Sequence, residues 1–336
     1  MGRAGGEEGG GRGGVSRLRT LLAGHWVALL CVVLVLVLGP VVPGFASAAN
    51  LRNVFSSLLP LLVVAVGQTL VLITGGIDLS VTAVVALASV LGAQVMTTDG
   101  GLLAGSTLAV PAAVAVMLGT GIAVGTVNGL SVARLRMPPF LATLAVMIFA
   151  SGFAVWLTRS RNIAGLPEGF RLLGAGSLGP IPIALLVVGP LALGAHLLLT
   201  RTVLGRWLFA VGGNARTARV SGVPVERVVL FAYGACAVCA AVASILYTAR
   251  LETGSPVLGQ RILLDVIGAV VIGGTSLFGG RGSVLGTVYG ALFITLLDNG
   301  LSLMGLSSFA VLMVKGAVIL AAALVDATRE RLERGS

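Results

Sequence analysis

Charged residues are scarce in this chain. Only 10% of its 336 residues are Asp, Glu, Lys or Arg, whereas about 25% is usual in a soluble domain. At the same time 57% of the residues are apolar and the mean hydropathy is +1.06. A water-soluble fold of this size cannot cover so much apolar surface with so few charges. The composition therefore argues against a soluble enzyme, a nucleic-acid-binding protein and a disordered chain.

Lysine and the usual catalytic and metal-binding motifs are also missing. Lys315 is the only lysine, so the chain has no Gly-Lys-Ser/Thr of a P-loop. Neither His-Glu-x-x-His nor Gly-x-Ser-x-Gly is present, and there is no His-rich cluster. Cys236 and Cys239 have the C-x-x-C spacing, but no second Cys or His pair accompanies them, and we interpret them as packing residues. We expect no catalytic residue, no metal and no cofactor, and any ATPase must be a separate polypeptide.

Long apolar runs make up most of the chain. About 20 apolar residues cross a bilayer as a helix, and ten candidate runs occur. The fold class that we predict is all-α, a polytopic transmembrane helical bundle of about ten spans. Glycines four residues apart, such as Gly121 and Gly125, predict close helix packing within it. The runs lie near 26–43, 57–74, 81–97, 107–133, 139–157, 181–200, 228–249, 262–278, 284–304 and 308–326.

The arginines predict the orientation of this bundle. With ten spans and a cytoplasmic N-terminus, 15 arginines fall on the cytoplasmic side and six on the other side. This is the bias that the positive-inside rule describes, and the opposite orientation would violate the rule at nearly every loop. Both termini are therefore expected in the cytoplasm.

The sequence divides into two tails and one membrane domain. Residues 1–24 are rich in Gly and Arg, and we predict a disordered cytoplasmic tail there. Residues 25–327 are the predicted transmembrane domain, and 328–336 are a short basic cytoplasmic tail. The first apolar run also resembles a signal peptide, because Ala46-Ser47-Ala48 follows it as a possible cleavage site. We favour an uncleaved span, since the run is long and more spans follow.

A long predicted cytoplasmic loop, residues 200–227, contains a short helix. Gly212-Gly213 and Gly222 bracket this helix, and Pro224 stops it. Such a helix offers a docking surface for a soluble partner, and the alternative is a solvated basic loop that only sets topology. Spacing alone leaves the two interpretations equal. Another glycine-rich stretch, 280–286, reads GxGxxxG and is predicted to be a tight turn rather than a nucleotide site.

Few polar side chains lie within or at the ends of the apolar runs. A charge at a helix centre costs about 3 kcal/mol, so these residues are candidates for a translocation path or else helix-end groups. Asp78 is equally well a capping residue, because Gly75-Gly76 precede it and Ser80 follows. The repeated string NGLS at two of the sites is a weak hint of an inverted repeat. The candidates are Asp78, Asn128, Asp265, Asp298, Asn299 and Lys315.

Two of these candidates are predicted to form an ion pair. Asp298 lies 8 residues before the predicted turn at Leu306, and Lys315 lies 9 residues after it. This places them at similar depth on antiparallel neighbouring helices. Two lone buried charges would each be costly, whereas a pair offsets much of that cost. The alternative is that Lys315 caps backbone carbonyls while Asp298 meets water in the translocation path.

Five stretches of the chain resemble, in order and at matching spacing, the membrane-spanning permeases of bacterial ABC importers. The subgroup they are most similar to carries ribose, xylose and galactose. The resemblance covers about residues 55–326. The stretches are TGGIDLSVTAVVALASVLGA (74–93), NGLSVARLRMPPFLATLAVM (128–147), GRWLFAVGGNARTARVSGVPVERVVLFAYG (205–234), AVVIGGTSLFGGRGSVLGTVYGALF (269–293) and VKGAVILAAALVD (314–326).

The resemblance implies a permease subunit of the bacterial plasma membrane that imports a monosaccharide or a similar small polar solute. Its implied partners are P-loop ATPase subunits on the cytoplasmic face, an extracytoplasmic solute-binding protein and a second permease copy, either identical or a paralogue. Nucleic acid is not among them. The resemblance also implies that the 200–227 loop couples to the ATPase through Gly213, Asn214, Ala218, Gly222 and Val223.

The chain departs from the pattern of these permeases at a few positions. Thr82 stands where Gly is expected, Leu263 where Glu is expected, Ala310-Val311 where Trp-Gln is usual, and Asp298 where Asn is commoner. The departures leave the solute open, so a nucleoside or a branched-chain amino acid is an alternative. An ion-coupled secondary transporter is the alternative mechanism, with Asp78 or Asp298 as its proton or cation site. The missing catalytic residues disfavour a membrane-embedded enzyme.

Overall fold

The fold is built almost entirely of helices. The computed structural model describes residues 10–179 and 181–334, including the side chains of 26–179 and 181–328. Two short strands of two residues each, β1 (Ser177–Leu178) and β2 (Ile181–Pro182), pair antiparallel. The helices of this part are α1 (Gly10–Val41), α2 (Ala48–Ile73), α3 (Val81–Met96), α4 (Ala109–Ala133), α5 (Pro139–Thr158), α6 (Glu168–Ala175), α7 (Ile183–Arg201), α8 (Val203–Val220), α9 (Val225–Leu251), α10 (Ile262–Ile272), α11 (Val284–Leu303) and α12 (Ser308–Arg334).

The apolar helices match the predicted apolar runs one for one. Seven of them, α2, α4, α5, α7, α9, α11 and α12, are long and apolar enough to cross a membrane. Three apolar helices are shorter, namely residues 26–41 of α1, together with α3 and α10. α10 ends at Ile272 rather than near 278, because Gly274 has φ +85° and the chain turns there.

Hydrogen bonds between loops define two ends of the bundle. At the first, which we call the α8 end, Gly280 N–H donates to the Ile73 carbonyl at 2.9 Å, joining the α10–α11 turn to the α2–α3 turn. At the second, which we call the α6 end, Thr98 N–H donates to the Gly165 carbonyl and Ile163 N–H to the Gly254 carbonyl, each at 2.8 Å. Successive apolar helices therefore alternate in direction between the two ends.

Glycine contacts bring α9 close to two neighbouring helices in the core. A Cβ added at Gly125 of α4 would lie 2.9 Å from Cβ of Ala237, and one at Gly121 would lie 2.6 Å from the Ala237 carbonyl oxygen. The predicted close approach at these two glycines is confirmed. On the other side of α9, a Cβ at Gly67 of α2 would lie 2.8 Å from Cβ of Cys239. Cys239 is a buried free cysteine, as is Cys236, so both have the predicted packing role.

The outer helices present apolar side chains to the surroundings. Phe149 and Trp156 of α5, Leu193 of α7 and Met313 of α12 are all exposed. Exposed apolar area on this scale is incompatible with water but suits lipid. Together with the helix lengths, it makes the chain a helical polytopic membrane protein.

Both predicted tails are largely helical where the structure describes them. α1 begins at Gly10, inside the tail for which we predict disorder, and residues 1–9 lie outside the described part. Leu, Ala and Arg between residues 15 and 24 are good helix formers that extend an existing helix at low cost. The disordered tail stays a prediction. Ser47 of the possible cleavage motif is the N-cap of α2, where its Oγ accepts from Asn50 N–H at 3.2 Å. An uncleaved first span stays a prediction.

The 200–227 loop is more helical than expected. A kink at Asn214, with φ −162° and ψ 103°, divides α8 into two helical segments. The second segment, 215–220, is the predicted short helix. The first, 203–213, follows Thr202, whose Oγ1 accepts from Gly205 N–H at 3.1 Å as an N-cap. Gly222 has φ +84° and ends the loop helix as predicted, while Pro224 is the N-cap of α9.

Candidate functional site

The second segment of α8 presents an exposed surface at the α8 end. Asn214 Oδ1 accepts from Thr217 N–H at 2.9 Å, so Asn214 is the N-cap of this segment. Gly213, Asn214 and Gly222 are exposed, and Val220 is 87% exposed. Ala218 is buried and turned toward the bundle, and Val223 is half-buried. Of the five predicted coupling residues, three are therefore available to a partner, and two hold the segment in place.

The first segment of α8 packs tightly on two turns of the bundle. A Cβ at Gly212 would overlap the Ile73 carbonyl oxygen and would lie 2.5 Å from Gly280 N. Gly213, by contrast, has nothing within 4 Å of an added Cβ. Gly212 therefore marks a junction between α8, the α2–α3 turn and the α10–α11 turn. A displacement of α8 must act directly on both turns.

Asp78 and Asn128 meet in a buried polar cluster beside this junction. Asp78 Oδ1 accepts from Ser80 N–H at 2.9 Å and from Ser80 Oγ at 2.7 Å, while Asn128 Nδ2 donates to Ser80 Oγ at 2.7 Å. With its amide oriented so that both of its atoms form hydrogen bonds, Gln68 Nε2 donates to the Asp78 carbonyl and Gln68 Oε1 accepts from the Asp78 backbone N–H, each at 3.2 Å. These contacts give both residues a structural role in the α2–α3 turn.

Lys315 joins three helices near the α6 end. Its Nζ lies 2.8 Å from Asp298 Oδ1 on α11 and 2.8 Å from Asp265 Oδ1 on α10. The predicted Asp298–Lys315 pair is confirmed, and Asp265 is an additional partner. The Lys315 side chain is 9% exposed and that of Asp298 is 48% exposed. The ammonium is therefore enclosed, while one carboxylate remains in contact with solvent.

A polar-walled cavity opens beside this ion cluster. The cavity has a volume of about 520 Å³, and Arg261, Asp265, Asp298, Ser302, Phe309 and Lys315 are among its lining residues. A second cavity of about 190 Å³ shares Asp265 and Asp298 and is lined also by Ser57, Tyr247 and Arg250. The two cavities share these two carboxylates, so charged and hydroxyl groups lie beside the apolar residues of both walls. Such a wall between apolar helices suits the passage of a polar solute.

Asn299 lies close to this cluster in sequence but has another role. Its Nδ2 donates to Asn50 Oδ1 at 2.9 Å, and Asn50 Nδ2 donates to Asn299 Oδ1 at 2.8 Å. This reciprocal amide pair fastens the first turn of α2 to α11. The structure thus places Asn299 in a helix contact rather than in the cavity wall, whereas Val311, one of the departures noted above, lines the cavity.

Sequence reasoning missed several residues of these sites. Asp326 Oδ2 accepts from Leu277 N–H at 3.3 Å and from Ser276 Oγ at 3.4 Å, so α12 is tied to the α10–α11 turn as well as to Asp265 and Asp298. Arg250 donates to Asn53 Oδ1 at 3.0 Å and to Ser57 Oγ at 3.1 Å. Their charge within or beside apolar runs was the available signal.

Comparisons with known proteins agree with this architecture. Residues 50–323 match the family described as "Branched-chain amino acid transport system / permease component". The ribose import permease protein RbsC of Escherichia coli K12 is 38% identical over 304 residues, which cover 89% of this chain and 92% of RbsC. The probable ABC transporter permease protein y4mJ of Sinorhizobium fredii is 39% identical over 313 residues, covering 93% and 90% of the two chains.

A permease named for a different sugar is similar to this chain over a shorter stretch. The galactofuranose transporter permease protein YtfT of Escherichia coli K12 is 38% identical over 272 residues, 80% of this chain and 77% of YtfT. No solved structure shows significant similarity. The family match covers well over half of the chain, and the relatives align over nearly all of the apolar helices. The chain therefore belongs to this family of membrane permease components.

Proposed function

We propose that this chain is the transmembrane permease subunit of an ATP-binding-cassette importer that brings a monosaccharide into a bacterial cell across the plasma membrane. The observation that carries the proposal is the likeness to RbsC, a ribose import permease of Escherichia coli, over 89% of this chain. The polar wall at Asp265 and Asp298 supports it, because a hydroxyl-rich solute needs hydrogen-bonding groups inside an otherwise apolar bundle. The chain itself is no enzyme; ATP hydrolysis belongs to a separate subunit.

The proposed topology has ten crossings with both termini in the cytoplasm. The alternation of helix direction between the α8 end and the α6 end supports it, as does the arginine bias. The α8 end then faces the cytoplasm and the α6 end faces outward. α3 and α10 are short for a full crossing, but the mostly buried turn 74–80 and the mostly half-buried turn 273–283 continue them toward the α8 end. Irregular backbone at such depth is acceptable where protein surrounds it.

The exposed segment 214–222 is the proposed docking site for the P-loop ATPase. Val220 supports this, since an apolar side chain that is 87% exposed on a membrane protein's cytoplasmic face is suited to a protein partner. Movement of the ATPase would then push α8 against the Gly212 junction. Both turns at that junction lead into helices of the cavity wall, so the bundle can switch its opening from outside to inside.

The remaining partners follow from the position of the cavity. Its wall includes Phe309, which is 80% exposed on α12, so a single chain leaves the cavity open on that side. A second permease copy, identical or a paralogue, is proposed to close it. An extracytoplasmic solute-binding protein is proposed to deliver the sugar at the α6 end.

Two alternative functions differ from the proposed one, either in the transported solute or in the energy source. The family description names branched-chain amino acids, and a nucleoside is a further candidate solute. For an ion-coupled transporter, Asp78 or Asp298 would have to bind the ion. The likeness to y4mJ, a probable ABC transporter permease, speaks against that mechanism.

The docking proposal is tested with two matched substitutions. Val220→Arg places a charge on the proposed docking surface, and Leu102→Arg places one at a residue that is 81% exposed at the α6 end. Both variants should insert in the membrane, because neither residue is buried. We expect Val220→Arg to reduce co-purification with the ATPase and solute uptake, and Leu102→Arg to leave co-purification unchanged. Wild-type co-purification by both variants would contradict docking at this surface.

A further inference from the structure

The cavity beside Lys315 contains hydrogen-bonding groups that the protein itself does not use. Asp298 Oδ1 takes the bond from Lys315, while in the described part of the chain no hydrogen bond reaches Oδ2. The Arg261 guanidinium lines the same cavity and forms no hydrogen bond or ion pair with the described side chains. The Ser302 hydroxyl is exposed in the same wall. One acceptor group and two donor groups are therefore free to meet a ligand.

The charges around the cavity balance. Lys315 and Arg261 supply two positive charges, and Asp265 and Asp298 supply two negative charges. A cavity with no net charge does not select for an anion or a cation. Its volume of about 520 Å³ lies within the range of small-molecule sites, about 300–1,000 Å³.

An aromatic ring completes the wall. Phe309 lines the cavity and is 80% exposed, so its apolar face is available to a ligand. A pyranose or furanose ring has hydroxyl groups at its edge and apolar C–H groups on its faces. It therefore matches a wall that combines a carboxylate, a guanidinium and a phenyl ring.

We propose that this cavity is a transient binding subsite for a neutral monosaccharide, an inference that rests on the proposed function. A sugar hydroxyl donates to Asp298 Oδ2, a neighbouring hydroxyl accepts from Arg261, and the C–H face of the ring packs on Phe309. Lys315 is a positioning residue, because it holds the Asp298 carboxylate through Oδ1 and leaves Oδ2 directed to the ligand.

An amino acid is the rival occupant, and it would use the same groups differently. Its ammonium would pair with Asp298 and its carboxylate with Arg261. Asp298→Asn distinguishes the two. The amide oxygen keeps the bond from Lys315, so Nδ2 faces the ligand, where it donates to a sugar hydroxyl but does not attract an ammonium. Sugar binding should weaken by about fivefold or less, whereas amino-acid binding should weaken by about 30-fold or more. Asp298→Leu removes the acceptor and should abolish binding of either.

The test is ligand protection of a single introduced cysteine. Cys31, Cys236 and Cys239 are buried and give a low background of maleimide labelling. Ser302→Cys on α11 places a thiol in the cavity wall, and Ser307→Cys places one in the α11–α12 turn, at a residue that does not line the cavity. The purified full-length chain is labelled in the presence of D-ribose, D-galactose or L-leucine.

We expect a sugar to slow the labelling of Ser302→Cys in a saturable way and to leave Ser307→Cys unaffected. In the Ser302→Cys background, Asp298→Asn should retain this protection and Asp298→Leu should lose it. Protection by L-leucine alone, or by none of the three solutes, would overturn the subsite. ATP-driven uptake of the same sugars by the assembled transporter is measured in parallel. Uptake without protection removes the subsite and keeps the proposed function, whereas protection without uptake removes the proposed function.

Discussion

Replacement of Lys315 by methionine should destabilise the bundle far more than replacement of Asp298 by asparagine. Lys315 Nζ lies 2.8 Å from one oxygen of each of two carboxylates. In Asp298→Asn the ammonium keeps Asp265, and the lost partner is 48% exposed and screened by water. We therefore expect a cost below about 1 kcal/mol for that change. Lys315→Met leaves two carboxylates without their cation.

The size of the Lys315 effect follows from the same distances. Since both oxygens are 2.8 Å from Nζ, they are at most twice that distance apart. Two unit charges at that largest separation repel by about 3 kcal/mol at an effective dielectric constant of about 20, and by more if they lie closer together. Together with the loss of the buried pair, Lys315→Met should cost about 3–5 kcal/mol. Asp298→Asn in the Lys315→Met background should recover up to about 3 kcal/mol.

The assay is a double-mutant cycle read as apparent thermal stability in detergent. For a chain of this length, 1 kcal/mol corresponds to roughly 2 °C in the apparent Tm, so the recovery should be several degrees. Asp326→Asn is the matched control, because Asp326 is on the same helix but bonds the α10–α11 turn instead. Its effect should add to that of Lys315→Met. Additivity within about 0.5 kcal/mol for Asp298 and Lys315 would refute the ion cluster.

Three further predictions concern the helix contacts and the energy source. Gly125→Ala should lower the free energy of unfolding by about 1–3 kcal/mol, because the added Cβ would lie 2.9 Å from Cβ of Ala237 on α9. Gly152→Ala is the control and should not lower it, since nothing lies within 4 Å of an added Cβ there. Gly212→Ala should reduce transport per ATP hydrolysed while keeping ATPase co-purification. Gly189→Ala in α7, with nothing within 4 Å of an added Cβ, should leave both unchanged, and equal behaviour of the two would contradict the junction. The purified chain alone should show no ATP binding or hydrolysis in a nucleotide assay, because it has no P-loop.

The helices were predictable from the sequence because each apolar run is long and the gaps are short. The depth of Asp298 and Lys315 could also be counted, since a tight turn at 304–307 separates their helices and each residue adds a fixed rise. Asp265 could not be placed in the same way. It follows the irregular stretch 252–261, along which no fixed rise per residue applies.

Other features depend on contacts that no local pattern specifies. Asp78 and Asn128 were both candidates, but only the packing of α4 beside the α2–α3 turn brings them to Ser80. The first segment of α8 was missed because its apolar stretch is too short for a span. Its N-cap, Thr202, was nevertheless a readable signal. The resemblance of the two NGLS strings stays a prediction of an inverted repeat.

ATP-driven sugar accumulation is the most direct test of the central claim. The chain is reconstituted in liposomes with its P-loop ATPase and its solute-binding protein, and uptake of radiolabelled D-ribose and D-galactose is measured. We predict accumulation of a sugar against its gradient that needs ATP and is lost when the Walker A lysine of the ATPase is replaced. Accumulation by the chain alone, driven only by an ion gradient, would contradict the claim.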